Sequence, residues 1–352
     1  MNTTVYFATN RQRARDGTKS SDYAGESGPA GLPGRVTHAM GFVEGTDLTR
    51  LESGRLASIQ GVEPDDFGAA LQEDLTSGRN LLIFIHGFAN SFSDSITRAA
   101  FNREFLAASG AAAADCSVVS FSWPSRGITV DPGDILGGIA LGPLTLALKL
   151  LGITASPLAN AYFEDQKAAA ASAADIVSFL DRLRPAITKV RRRGGRVFLL
   201  AHSMGNWVLE NALNHWAKMG MPRGMLFDEA ISASADSPFQ EDGIGPHWLN
   251  HLGKVSGRVS LYHSAGDQIL RLSQVVNNIQ RLGRSGPPDR ADMMRYPKDR
   301  WRFVDCEKLH DTGPGLTLDS SHQFYRRLPE VRDDVARVMT GKGAGGRVVL
   351  QA

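Results

Sequence analysis

Short apolar runs alternate with stretches of helical periodicity between residues 80 and 267, and that alternation restricts the possible folds more than any other feature. The runs are NLLIFIHGF (80–88), SVVSFSWP (117–124), RVFLLAHS (196–203), GMLFDEAISAS (224–234) and RVSLYHSAGD (258–267). Between them, residues 93–109 space Ile96, Ala99, Ala100, Phe105 and Leu106 along one helical face. Residues 164–183 do the same with Ile176, Val177, Leu180 and Leu183, and Pro185 interrupts or kinks the continuation. A further helix is expected over 205–219. Strands apolar on both faces need cover on both, and helices between them supply the crossovers of a parallel sheet. VYFAT (5–9) and RVTHAMGFV (35–43) read as two earlier strands, with a helix over 64–76. The expected class is α/β, a mostly parallel sheet with helices on both faces. A single domain is expected over 1–340, followed by a flexible tail over 341–352, because GKGAGGRVVLQA carries no clear periodicity.

Composition excludes several function classes. Lys and Arg number 39 against 37 Asp and Glu, so the net charge of +2 provides no basic field for nucleic acid. Cys116 and Cys306 stand far apart with no CxxC spacing, which reads as reduced thiols rather than a metal or disulfide framework. No basic segment followed by an apolar one opens the chain, so the expected location is cytoplasmic. ILGGIALGPLTLALKLLGIT (135–154) approaches the length of a membrane span, but Pro143, Lys149 and its glycines argue against a stable one. HExxH, HxE…CxxC and GxxxxGK patterns are absent, so no metal or other cofactor is expected. The expected partner is a small molecule.

AHSMG, residues 201–205, sits where a strand gives way to a helix. A chain that turns this abruptly needs small residues two positions either side of the turning residue, and Ala201 and Gly205 meet that need. The turn projects the Ser203 hydroxyl at the carboxyl end of the sheet, where ligands bind in such folds. The Met204 N–H then lies at a helix N-terminus, which favours an anion. Ser203 needs a base, and the base needs a carboxylate, both downstream in chain order. Asp267 follows the stronger apolar run and is favoured over Asp236. His310 and His322 are the histidines that follow it. A second oxyanion donor is expected from the Phe88 N–H, with Gly87 letting the backbone come close. His86 and His202 read as structural, and Trp123 is placed at the wall of the substrate pocket, with a buried aromatic anchor as the alternative.

Several motifs in register then point to a family. HGFAN (86–90), SWPSRG (122–127), AHSMGN (201–206), LYHSAGDQIL (261–270), RLG (281–283) and HQFY (322–325) fall in one order. The chain resembles the α/β-hydrolase superfamily and, within it, an esterase/lipase-like bacterial family that carries this series. The resemblance implies Ser203 as nucleophile, Asp267 as acid and His322 as base, with the HGF segment contributing to the oxyanion hole. It also implies a serine carboxylic-ester hydrolase acting through an acyl-enzyme on medium-chain or aromatic esters. Thioester, amide or lactone hydrolysis would use the same groups, and a hydrolase-fold binding protein is the reading from another class. Where the family pattern passes quickly from WPS to an aromatic-acidic helix start, here Tyr162-Phe163-Glu164-Asp165, this chain inserts an apolar stretch. Residues 128–163 are expected to form a cap over the site, with a helical hairpin elsewhere or a homo-oligomer contact as alternatives.

Overall fold

In the computed structural model the described residues are 1–13, 16–23, 36–75, 79–125, 157–222, 224–309 and 320–351. Ten strands among them form one sheet. They are β1 (Thr3–Thr9), β2 (Thr37–Glu44), β3 (Arg55–Val62), β4 (Asn80–Ile85), β5 (Cys116–Ser122), β6 (Val197–His202), β7 (Phe227–Ala233), β8 (Ser256–His263), β9 (Trp301–Asp305) and β10 (Gly346–Val349). Their order across the sheet is β10-β9-β8-β7-β6-β4-β5-β1-β2-β3. Every pair from β10 to β1 is parallel, and the β1–β2 and β2–β3 pairs are antiparallel. The chain lays β5 on one side of β4 and β6 on the other. In open α/β sheets ligands bind beyond the carboxyl ends of the strands at such a reversal, here β4 and β6.

The helices are α1 (Pro64–Asp74), α2 (Phe92–Ala107), α3 (Pro157–Ala171), α4 (Ala173–Arg182), α5 (Arg184–Arg192), α6 (Met204–Met219), α7 (His247–Val255), α8 (Gln268–Asn277), α9 (Leu282–Ser285), α10 (Phe324–Arg327) and α11 (Pro329–Met339). Strand β4 shows how they enclose the sheet. Leu81, Ile83 and Ile85 pack with α1, α4, α5, α6 and α7 on one face, while Leu82 and Phe84 pack with α2 and α11 on the other. The side-chain period of two sends alternate residues into separate cores, and all six residues of β4 are buried.

The structure departs from the sequence expectations in particular places. The helix expected over 164–183 is divided at Ser172 into α3 and α4, while the interruption expected near Pro185 falls at Leu183 and leaves Pro185 in the first turn of α5, where a missing N–H costs nothing. The tail is not free of structure: Gly346–Val349 form β10, in parallel register with Arg302–Asp305 of β9. β3 and β9 were not anticipated. The proposed cap falls largely on residues 126–156, which lie outside the described residues, as does His310. Among the described residues no helix is long and apolar enough to cross a membrane.

Candidate active site

The turn between β6 and α6 brings Ser203 to φ +53° and ψ −124°, a conformation that a residue with a Cβ adopts only under constraint. The constraint is visible. Asn206, one turn into α6, donates from Nδ2 to the carbonyls of Ala201 (3.0 Å), Ser203 (3.3 Å) and Ala233 (3.3 Å). Its Oδ1 accepts from Ser232 Oγ at 2.7 Å. Gly205 lies against the end of β4: a Cβ there would stand 2.5 Å from Ile85 O and 2.7 Å from His86 O. Gly87 meets the turn from the other side, where a Cβ would fall 2.9 Å from Ser203 Cβ. Two glycines thus let the β4 loop close against the serine. Among the described residues neither the Phe88 nor the Met204 N–H meets an acceptor, so two donors flank the turn, the second at a helix N-terminus.

The β4 loop is itself held from beneath. Asn90 Nδ2 donates to the carbonyls of Gly87 and Phe88, both at 2.9 Å, and Asn90 N–H donates to Ser125 Oγ at 3.2 Å. Ser125 Oγ in turn donates to the buried Asp165 carboxylate of α3 at 2.5 Å. Arg11, fully buried beyond β1, donates to the carbonyls of Asn90 (2.9 Å) and Ser125 (2.8 Å) and to Ser122 Oγ (3.0 Å). His86 stacks on Trp123 with ring centroids 5.0 Å apart and planes 4° from parallel. Burial, reinforced by the nearby Arg11 charge, pushes the His86 pKa well below the usual histidine range. This neutral ring braces the loop, as the sequence reading has it. Trp123 is a correction. It has no exposed surface, and its indole N–H donates to the His86 carbonyl at 2.8 Å, so it is a strut under the loop rather than a pocket wall.

Asp267 and His322, far apart in sequence, come together. Asp267 caps α8, where its Oδ1 accepts Leu270 N–H at 2.9 Å, and its Oδ2 accepts from His322 Nδ1 at 2.8 Å. With Nδ1–H engaged, His322 Nε2 is left as an acceptor. Asp236 makes no such contact. Its carboxylate accepts from Tyr162 Oη (2.8 Å) and Ser273 Oγ (2.5 Å) and pairs with Arg281 at 3.3 Å. His202 supports His322: its Nε2–H donates to the His322 carbonyl at 3.0 Å, and its ring lies 4.7 Å from that of His322 and 4.4 Å from that of Tyr325. Burial, and then the neighbouring His322, lower the His202 pKa well below the usual range. His202 therefore serves as a neutral donor platform next to the serine.

A strained serine turn and an Asp–His pair on a mostly parallel sheet agree with the comparison to known families. A family model described as an alpha/beta hydrolase of unknown function (DUF900) matches residues 63–339. The chain belongs to this family. No curated protein and no solved structure matches it. The match to the DUF900 family begins after β3, yet β1 pairs with β5 inside the same sheet and leads directly to Arg11.

Other residues around the site had weaker signals in the sequence. Asn90 and Asn206 belong to the HGFAN and AHSMGN motifs, but only the fold shows that they hold carbonyls. Arg11 and Asp165 act on the β4 loop from the remote segments that precede and follow it; Asp165 lies in the aromatic-acidic helix start, and no local spacing marks Arg11. Phe88 contacts Tyr162 edge-on at 5.6 Å, and Tyr162 contacts Phe163 at 6.1 Å, which sets an aromatic cluster beside the loop.

Proposed function

We propose that this protein is a serine carboxylic-ester hydrolase in which Ser203 is the nucleophile, His322 the base and Asp267 the acid. The observation that carries the reading is the Asp267–His322 hydrogen bond at 2.8 Å; a serine whose backbone is forced into the turn at φ +53° supports it. In the proposed reaction Ser203 Oγ attacks the ester carbonyl carbon while its proton passes to His322 Nε2. The carbonyl oxygen becomes an oxyanion and accepts hydrogen bonds from the Phe88 and Met204 N–H groups. Collapse expels the alcohol, which takes the proton from His322, and leaves an acyl-serine. A water molecule gives a proton to His322 and attacks the acyl carbon. The second tetrahedral intermediate then releases the carboxylic acid and returns the proton to Ser203. Asp267 holds the imidazole tautomer and balances the imidazolium charge.

The aromatic cluster of Phe88, Tyr162 and Phe163 supports esters with medium acyl chains or aromatic groups, because an apolar rim gains from each methylene that it covers. The test is hydrolysis of p-nitrophenyl esters of increasing acyl length by wild type, Ser203→Ala and His322→Ala. Turnover is expected in wild type and loss in both variants, with unchanged circular dichroism. Equal turnover in wild type and Ser203→Ala would overturn the reading.

A further inference from the structure

The loop that follows β7, residues 234–236, touches Ser203 and His322 of the proposed triad and is linked to Asp267 through Gly283 and Ser264. Ser234 Oγ donates to the His322 carbonyl at 3.3 Å. Asp236 N–H donates to the Ser203 carbonyl at 3.1 Å. The Ala235 carbonyl accepts Gly283 N–H at 2.9 Å; the Gly283 carbonyl accepts Ser264 N–H at 3.0 Å; the Ser264 carbonyl accepts Asp267 N–H at 3.1 Å. A continuous run of main-chain hydrogen bonds therefore leads from the nucleophile to the acid through residues 281–283. Leu282 N–H adds a bond to the Ser237 carbonyl at 2.9 Å. Gly283 is required at this crossing, since a Cβ would lie 2.2 Å from Ala235 N and 2.3 Å from Ser234 C, both rigid main-chain atoms.

What fastens this strap is the ion pair between Asp236 and Arg281. Both side chains are buried, at 2% and 1% exposure. The carboxylate also accepts from Tyr162 and Ser273, which ties the loop to α3 and α8. A buried charge persists only with such partners, so the pair has one arrangement available. The Ser203 conformation is strained and holds only while its surroundings fix it, and Asp236 N–H is one of the groups that do so.

We infer that Asp236 and Arg281 are positioning residues: their ion pair and the Gly283 strap set the spacing between Ser203 and the Asp267–His322 pair. This rests on the serine-hydrolase reading above. Arg281→Lys keeps a positive charge but moves it away from the Nε position that pairs with Asp236 at 3.3 Å, and Gly283→Ala pushes the strap off the β7 loop. With p-nitrophenyl ester substrate, each variant is expected to lower kcat by about a hundredfold, as a displacement on the order of 1 Å would, while KM stays within about threefold. The rate of Ser203 labelling by a fluorophosphonate should fall with kcat. The downfield proton resonance of the Asp267–His322 bond should persist, which a general loosening of the fold would not allow. A folded Arg281→Lys variant with kcat within about twofold of wild type would overturn the inference, and it decides alone if Gly283→Ala does not fold. If wild type neither turns over ester nor takes the label, the hydrolase reading fails instead. The crystal structure of Arg281→Lys then decides the strap: a changed spacing between Ser203 and His322 supports it, and an unchanged one overturns it.

Discussion

Asp267 uses its two carboxylate oxygens for separate purposes, and two substitutions separate them. Oδ1 caps α8 through Leu270 N–H at 2.9 Å, and Oδ2 holds His322 Nδ1–H at 2.8 Å. In Asp267→Asn the amide oxygen still caps the helix, but an NH2 group then faces His322. An NH2 group donates, so His322 must accept at Nδ1 and carry its proton on Nε2, where it can no longer take one from Ser203. The expected result is a fall in kcat of roughly 10⁴-fold, with stability lowered by no more than about 1 kcal/mol. Asp267→Ala removes both contacts. Loss of the cap costs about 1 kcal/mol and the orphaned, buried His322 N–H about 1–3 kcal/mol more, so a total of about 2–4 kcal/mol is expected. Urea denaturation with circular dichroism measures the stabilities, and single-turnover hydrolysis of a p-nitrophenyl ester measures the chemistry. An Asp267→Asn variant that keeps a tenth of wild-type kcat would refute the role of the acid. Equal stability of the Asn and Ala variants would refute the division between the two oxygens.

Two further outcomes concern stability. Glu210 of α6 has its pKa pushed up to about 8, chiefly by burial and further by Glu241, against the opposing pull of the nearby Ser237 hydroxyl and of Arg281. The folded state therefore holds this proton more tightly than the unfolded chain, so the associated stability is present at low pH and is lost as pH rises towards 8, by roughly 1 kcal/mol per unit. Urea midpoints from pH 5 to 8 should fall less steeply in Glu210→Gln than in wild type, and parallel slopes would contradict the assignment. Asp334 of α11 is buried against Arg302 of β9 at 3.0 Å and accepts from Tyr262 Oη at 2.7 Å, and the hydrogen bonds from Arg302 hold its carboxyl below the usual range despite burial. Asp334→Ala should destabilise the protein by about 3–5 kcal/mol, because it strands the Arg302 charge in the interior, and a loss under about 1 kcal/mol in urea denaturation would contradict this.

The central strands were legible because burial on both faces leaves an uninterrupted apolar run, as in NLLIFI of β4. β3 was not, since Ile59 is its one buried residue and an edge strand needs no apolar pattern. β9 was hidden by Arg302, a charge in mid-strand that is tolerated only because Asp334 arrives from α11. β10 is four residues long, too short to show a period. The Ser203 turn could be read because its steric needs fall on neighbours, Ala201 and Gly205. Chain order led to Asp267, the resemblance to His322, and the fold brings these two side chains together. How the turn and the β4 loop are held was not legible. Asp165, Asp236 and Arg281 stand in stretches that the sequence reading marks, and Arg11 does not, but what all four hold could not be read, because they act across long sequence separations that leave no spacing rule behind.

The strands that precede the family match have a further consequence. β1 lies along β5 from Val5 beside Val118 to Thr9 beside Ser122. A fragment that begins at residue 63 would keep all of the inherited segment, yet it would strip β5 of a neighbour and leave the buried, apolar CSVVSFS as an outer rim. A rim of that kind recruits other chains. The same cut would take away Arg11 and with it the grip on the Asn90 carbonyl. The sheet therefore reaches beyond the stretch over which kinship is recognisable at both ends: β1, β2 and β3 precede the match and β10 follows it.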